Sequence, residues 1–177
     1  MPVSPRRAVR RSVAITVMLL LMPARGRAVE AALTSPETAD VGGQLTVEVS
    51  IDVGTRALGS YGLTLVFDSA VLSVGGVTGG RTTGYDATPT SNVVCSSPPS
   101  TLCDLRIAAF GSAQGMDRPT GNVSVARVGF NVVATKATVT DIGLRVRSVF
   151  DSQASRIDTG ASATGRTVRL VNGAPRK

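Results

Sequence analysis

The chain has 177 residues, nineteen Lys and Arg against twelve Asp and Glu, two Cys, and neither His nor Trp. That length suits one domain of ordinary size and leaves little room for a second core. Without histidine, Ser-His-Asp and Cys-His catalysis is excluded, and two cysteines cannot complete the usual zinc or copper ligand sets.

Residues 1–12 hold Arg6, Arg7, Arg10 and Arg11 with no acid, and a mostly apolar run follows at 12–22. A membrane-spanning helix needs about 20 apolar residues, so this run has the layout of a secretory signal peptide. Pro23 ends it, and the small residues Gly26 and Ala28 predict cleavage after Ala28, with a cut after Ala31 as the alternative. The leader is therefore expected at 1–28, and the remainder outside the cell or in the periplasm, with no membrane segment. Six basic residues (Arg6, Arg7, Arg10, Arg11, Arg25, Arg27) leave with the leader, so thirteen bases face all twelve acids, a net +1. The nucleic-acid surface suggested by the whole-chain charge then loses its support. Arg145, Arg147, Arg166 and Arg169 remain as a modest cluster, read as a solvated face.

From residue 44, QLTVEVSIDVG alternates without a fault: Leu45, Val47, Val49, Ile51 and Val53 on one side, polar residues on the other. Such a period of two predicts a half-buried strand. SYGLTLVFD (60–68) repeats the scheme, with Tyr61, Leu63, Leu65 and Phe67 inward and Ser60, Gly62, Thr64 and Val66 outward. Asp68 stands where that strand must stop. A short carboxylate there can accept from backbone N–H groups one or two residues on, so it reads as a turn lock before Val71 and Leu72 open the next strand.

NVVC and DLRIAAF flank a turn-rich loop whose ends are Cys95 and Cys103. A closely spaced pair in an exported chain predicts a disulfide. The inward face of DLRIAAF is ambiguous, since Leu105 and Ile107 argue for one side and Phe110 for the other. In ARVGFNVVA, Ala126, Val128, Phe130 and Val132 point inward, and Arg127, Gly129 and Asn131 outward. DIGLRVRSVF sets Ile142, Leu144 and Val146 against Arg145 and Arg147, and TVRLV supplies a last strand. No helical repeat is sustained. Seven to nine short strands between Gly, Pro, Ser, Thr and Asp predict a single all-β sandwich, with a frayed tail at 172–177.

The order of motifs VGGQLTVEVSIDVG, GSYGLTLVFDSAVLSV, VTGG, LRIAAF and GNVSVARVGFNVVA resembles the bacterial cohesin domain over about 32–171. Its most specific piece is Phe67, Asp68, Val71 and Leu72, where the family usually has aromatic-Asp-Pro-x-Val-Leu; this chain has Ser69 in place of the proline. The resemblance implies a jelly-roll or immunoglobulin-like sandwich of about nine strands, shared with several cellulose-binding modules. It also implies noncovalent binding of a dockerin-like protein through one flat sheet face, in polysaccharide degradation or envelope assembly. Carried over by position, that face comprises Thr64, Val66, Arg106, Arg127 and Asn131.

A carbohydrate-binding module for a soluble glycan is the alternative. Sugars stack on exposed rings, and with Phe67, Phe130 and Tyr61 inward, Tyr85 is the best exposed candidate, with Asp86 and Asn92 as polar neighbours. Catalysis is not expected, because the acids sit mainly at turns and outward strand positions. No D-x-[DN]-x-[DN]-G loop is present and no cofactor is expected. Asn122-Val123-Ser124 matches a glycosylation triplet, which arises often by chance.

Overall fold

The computed structural model describes residues 28–112 and 118–173. Apart from Ala28, the expected leader lies outside this range, as do residues 174–177 of the expected tail. No helix among the described residues is long and apolar enough to cross a membrane.

Among them, eleven strands follow in chain order: β1 (Glu30–Thr34), β2 (Thr38–Asp40), β3 (Gln44–Asp52), β4 (Leu58–Asp68), β5 (Leu72–Gly79) and β6 (Thr90–Cys95). Then come β7 (Leu102–Phe110), β8 (Asn122–Val132), β9 (Thr138–Asp151), β10 (Ser162–Thr164) and β11 (Arg166–Val171). They form a sandwich of two sheets, one ordered β10-β1-β3-β8-β5 and the other β2-β11-β9-β4-β7-β6. Eleven replaces the expected nine or so because β2 and β10 are only three residues each, too short to alternate visibly. Each pairs in parallel with its neighbour, β2 with β11 and β10 with β1.

Alternation decides the core. Leu45, Val47, Val49 and Ile51 of β3 and Tyr61, Leu63, Leu65 and Phe67 of β4 are all buried. On β8 the phase changes. The β3–β8 register shifts between Val49 and Ser50, so Val125 and Ala126 both turn inward and the strand extends back to Asn122. A bulge of this kind places two residues opposite one, which breaks the period-two signal that otherwise reveals a strand. On β7, Cys103, Leu105 and Ile107 are buried, which settles the ambiguity: Phe110 faces outward and is 85% exposed.

Three local features hold the strand ends. After β4, Asp68 Oδ1 accepts from the Ala70 N–H at 2.9 Å and its carbonyl from the Val71 N–H at 3.1 Å. Ser69, standing where the related pattern has proline, donates both its N–H and its hydroxyl to the Thr101 carbonyl, each at 2.8 Å. A proline would lack that N–H. At the sheet edge, Cys95 and Cys103 lie directly opposite each other in the β6–β7 pair and are disulfide-bonded. All six β6 residues are exposed, so little burial holds this strand and the disulfide takes a large share of that work. Closing a loop with sequence separation 8 removes unfolded-state entropy worth about 2.5 kcal/mol. Reduction, or the Cys95→Ser/Cys103→Ser variant, is therefore expected to lower the unfolding free energy by about 2–3 kcal/mol in urea titrations. Hydrogen exchange should rise first in β6.

Candidate functional site: the outer faces of the two sheets

Directly paired residues on neighbouring antiparallel strands share a face, so the register states what each outer surface carries. On the six-stranded sheet, Thr64 of β4 stands opposite Arg106 of β7 and Arg145 of β9, and Val66 stands opposite Asp104 and Gly143. Asn92 and Val94 of the edge strand β6 face Arg106 and Asp104 in turn. Thr64, Val66, Arg106, Asn92 and Arg145 thus lie on one surface. It ends in apolar residues: Val94 is 41% exposed, Leu102 51% and Phe110 85%. A shallow groove of about 400 Å³, lined in part by Gly62, Asn92, Arg106 and Ala108, runs across it.

Arg127 and Asn131 belong elsewhere. They are on β8, opposite Glu48 and Gln44 of β3, on the outer surface of the five-stranded sheet. The single face expected from the sequence is therefore two faces on opposite sides of the sandwich. Alternation distinguishes inward from outward, but not which sheet a strand joins. The five-stranded surface is polar: Glu48 accepts from the Ser124 hydroxyl at 2.6 Å and pairs with Arg81 at 3.3 Å. Beside them, a trough of about 610 Å³ has Gly75, Gly76 and Gly129 in its lining.

Thr64 also departs from expectation. Its direction is outward, yet it is fully buried, because the Arg147 Nε donates to its Oγ1 at 3.0 Å and the guanidinium covers it. Arg147 sits where the β4–β9 register shifts between Gly62 and Leu63. Arg166, read as part of a solvated face, instead has inward parity opposite Ile142, and its buried Nε has no hydrogen-bond partner among the described residues.

The expected glycan contacts are not assembled as predicted. Tyr85 is 2% exposed and packs on Tyr61 with ring centroids 5.8 Å apart. Burial pushes its phenol up to about 12, against the opposing influence of the Arg118 charge and the Gly111 amide. Burial likewise raises Tyr61, whose hydroxyl donates to the Val125 carbonyl at 3.0 Å. The cause is a loop that folds back on the sandwich: the Gly80 N–H donates to the Tyr85 carbonyl at 2.8 Å, and the Tyr85 N–H to that of Thr82 at 2.9 Å. Asp86 Oδ1 accepts from the Gly84 N–H within the same loop. Tyr85 thus offers no ring to a sugar. Sequence reasoning missed Phe110, Arg145 and Arg147 as members of the Thr64 surface; the shared outward parity of Arg106 and Phe110 on one strand was the signal available for the first.

Comparison with known proteins yields one family. The profile described as Cohesin domain matches residues 29–168. No curated protein matches the sequence. Among solved structures, the sixth cohesin of scaffoldin B from Acetivibrio cellulolyticus, in complex with a Cel5 dockerin, superposes with a TM-score of 0.63 at 12% identity. That match covers 82% of this chain and 100% of the other. The Coh-OlpA-Doc918 type I cohesin-dockerin complex of Clostridium thermocellum gives 0.62 at 13% identity, over 82% and 100%. The cohesin module of a Clostridium perfringens family 33 glycoside hydrolase gives 0.64 at 9%, over 82% and 98%. At such identities these likenesses show the fold. The family match spans most of the chain, and the chain belongs to the cohesin domain family.

Proposed function

We propose that the protein is an extracellular, non-catalytic binding module that docks a dockerin-like protein on the outer face of its six-stranded sheet, in polysaccharide degradation or envelope assembly. The observation that carries this reading is the asymmetry of the two outer faces. One presents Phe110, Leu102 and Val94 beside a shallow groove and arginines; the other presents hydroxyls, amides, glycines, Arg127 and a Glu48 paired with Arg81. Aromatic residues and arginine are enriched where protein interfaces bury their centres. The Cys95–Cys103 disulfide suits an oxidising compartment, and two of the structural relatives named above were solved bound to dockerins.

A panel of dockerin modules immobilised for surface binding tests the reading. At least one module is expected to bind the folded protein, with Phe110→Asp losing tenfold or more in affinity and Arg127→Glu binding as the parent does. The reading is wrong if no module binds, or if Arg127→Glu abolishes binding while Phe110→Asp leaves it intact.

A further inference from the structure

We propose that Arg106, Arg145 and Arg147 form a carboxylate-recognition site around Thr64 that receives an acidic side chain of the protein partner; this rests on the docking face assigned above. The register is the first ground. Thr64 lies directly between Arg106 on one neighbouring strand and Arg145 on the other. Strands are spaced about 4.8 Å apart, so the two arginine Cα atoms stand about 10 Å apart, and their long side chains can reach a common point between them.

The second ground is imbalance. Arg147 is committed, through Nε to Thr64 and through Nη2, 3.8 Å from Asp104 Oδ2. The guanidinium groups of Arg106 and Arg145 have no hydrogen bond or ion pair with any described residue. Like charges gathered on one sheet face repel, and among the described residues only Arg147 of these three guanidinium groups has an ion pair, with Asp104. On the opposite surface, by contrast, both arginines are committed, Arg81 to Glu48 at 3.3 Å and Arg127 through its Nε to the Gly79 carbonyl at 3.3 Å.

The third ground is the surrounding surface. Thr64 lies buried at the floor of the site, and Gly62 and Ala108 leave the adjoining groove open. Guanidinium forks match the two oxygens of a carboxylate, and such charge-assisted bonds are strongest when water is excluded. The apolar residues along the same sheet can exclude it when a partner covers them. That setting favours an acidic side chain presented by a protein over a free anion in water.

Calorimetric titration of the folded protein tests the site, using a dodecapeptide with three glutamates and its glutamine counterpart. The glutamate peptide is expected to bind at least tenfold more tightly and to weaken as salt rises. The Arg106→Gln/Arg145→Gln variant should lose at least tenfold in affinity, while Arg127→Gln matches the parent. The double variant should melt at the same temperature as the parent or a few degrees higher at low salt, because it sheds repulsion. Equal binding of the two peptides, unchanged binding by the double variant, or an equal response to inorganic phosphate would each overturn the proposal. A dockerin captured equally by parent and double variant removes this site and leaves the docking face standing. Glutamate-selective binding with no dockerin captured upholds the site and removes the dockerin reading.

Discussion

Phe130→Ala is expected to lower the unfolding free energy by about 3–5 kcal/mol, the range for truncating a buried aromatic residue. Phe130 comes from β8 of the five-stranded sheet and Phe67 from β4 of the six-stranded sheet. Their rings meet edge-to-face across the sandwich, centroids 5.2 Å apart and planes 63° apart. The chain has only four Phe and no Trp, so most of the interior is Val, Leu and Ile, and this pair joins the two layers ring to ring. Phe130 is 1% exposed, so removing its ring leaves a cavity within the packed interior. Urea denaturation of Phe130→Ala, Phe67→Ala and the double variant should also show a coupling of about 1 kcal/mol, the usual worth of an aromatic pair beyond its area. A loss of less than about 1 kcal/mol in Phe130→Ala, with an unchanged denaturant slope, would contradict this packing.

The second large effect is expected at the glycine pair that ends β5. A Cβ on Gly80 would stand 2.0 Å from the Ser124 carbonyl oxygen, and one on Gly79 would stand 2.0 Å from that of Asp86. Both obstacles are backbone, so rotation of a side chain cannot relieve them. Gly80→Ala should cost about 3 kcal/mol or more, at or beyond the upper end for overpacking. Gly76→Ala, whose Cβ meets nothing within 4 Å, should stay within about 0.5 kcal/mol of the parent.

The Gly80 change has a second readout. Forced apart from Ser124, the loop that buries Tyr85 should lift and expose its ring. Its phenol, pushed up to about 12 by burial, should then fall toward the ordinary value near 10. Tyrosine absorbance during alkaline titration reports that shift. For the parent the sign follows from the same displacement. A folded-state phenol that resists ionisation stabilises the fold fully below pH 10, and that contribution is lost as pH rises toward 12. An unchanged titration in Gly80→Ala would show that the tight approach does not hold the loop.

These two sites show different degrees of legibility. Phe130 could be placed in the core from its neighbours alone, because Ala126, Val128, Phe130 and Val132 alternate with polar or small residues along one strand. The glycines of VTGG carry no such signal. Their reason is the approach of β8 and of the Tyr85 loop to a stretch far from the first in sequence, seen only once the chain is folded.

The amino-acid order by itself determined the all-β class, the inward residues of β3 and β4, the Asp68 turn and the cysteine pairing. Each depends on residues close together along the chain, where strand periodicity, turn chemistry and a short loop act directly. The tertiary structure alone decided that Arg127 and Asn131 lie on the far side of the sandwich from Thr64, Val66 and Arg106, and that Tyr85 is enclosed. It also brought Arg145 and Arg147 to the Thr64 surface. Pleating tells a side chain to point in or out, but the sheet that a strand joins is set by pairing with distant strands. A functional face therefore exists only after that pairing is made.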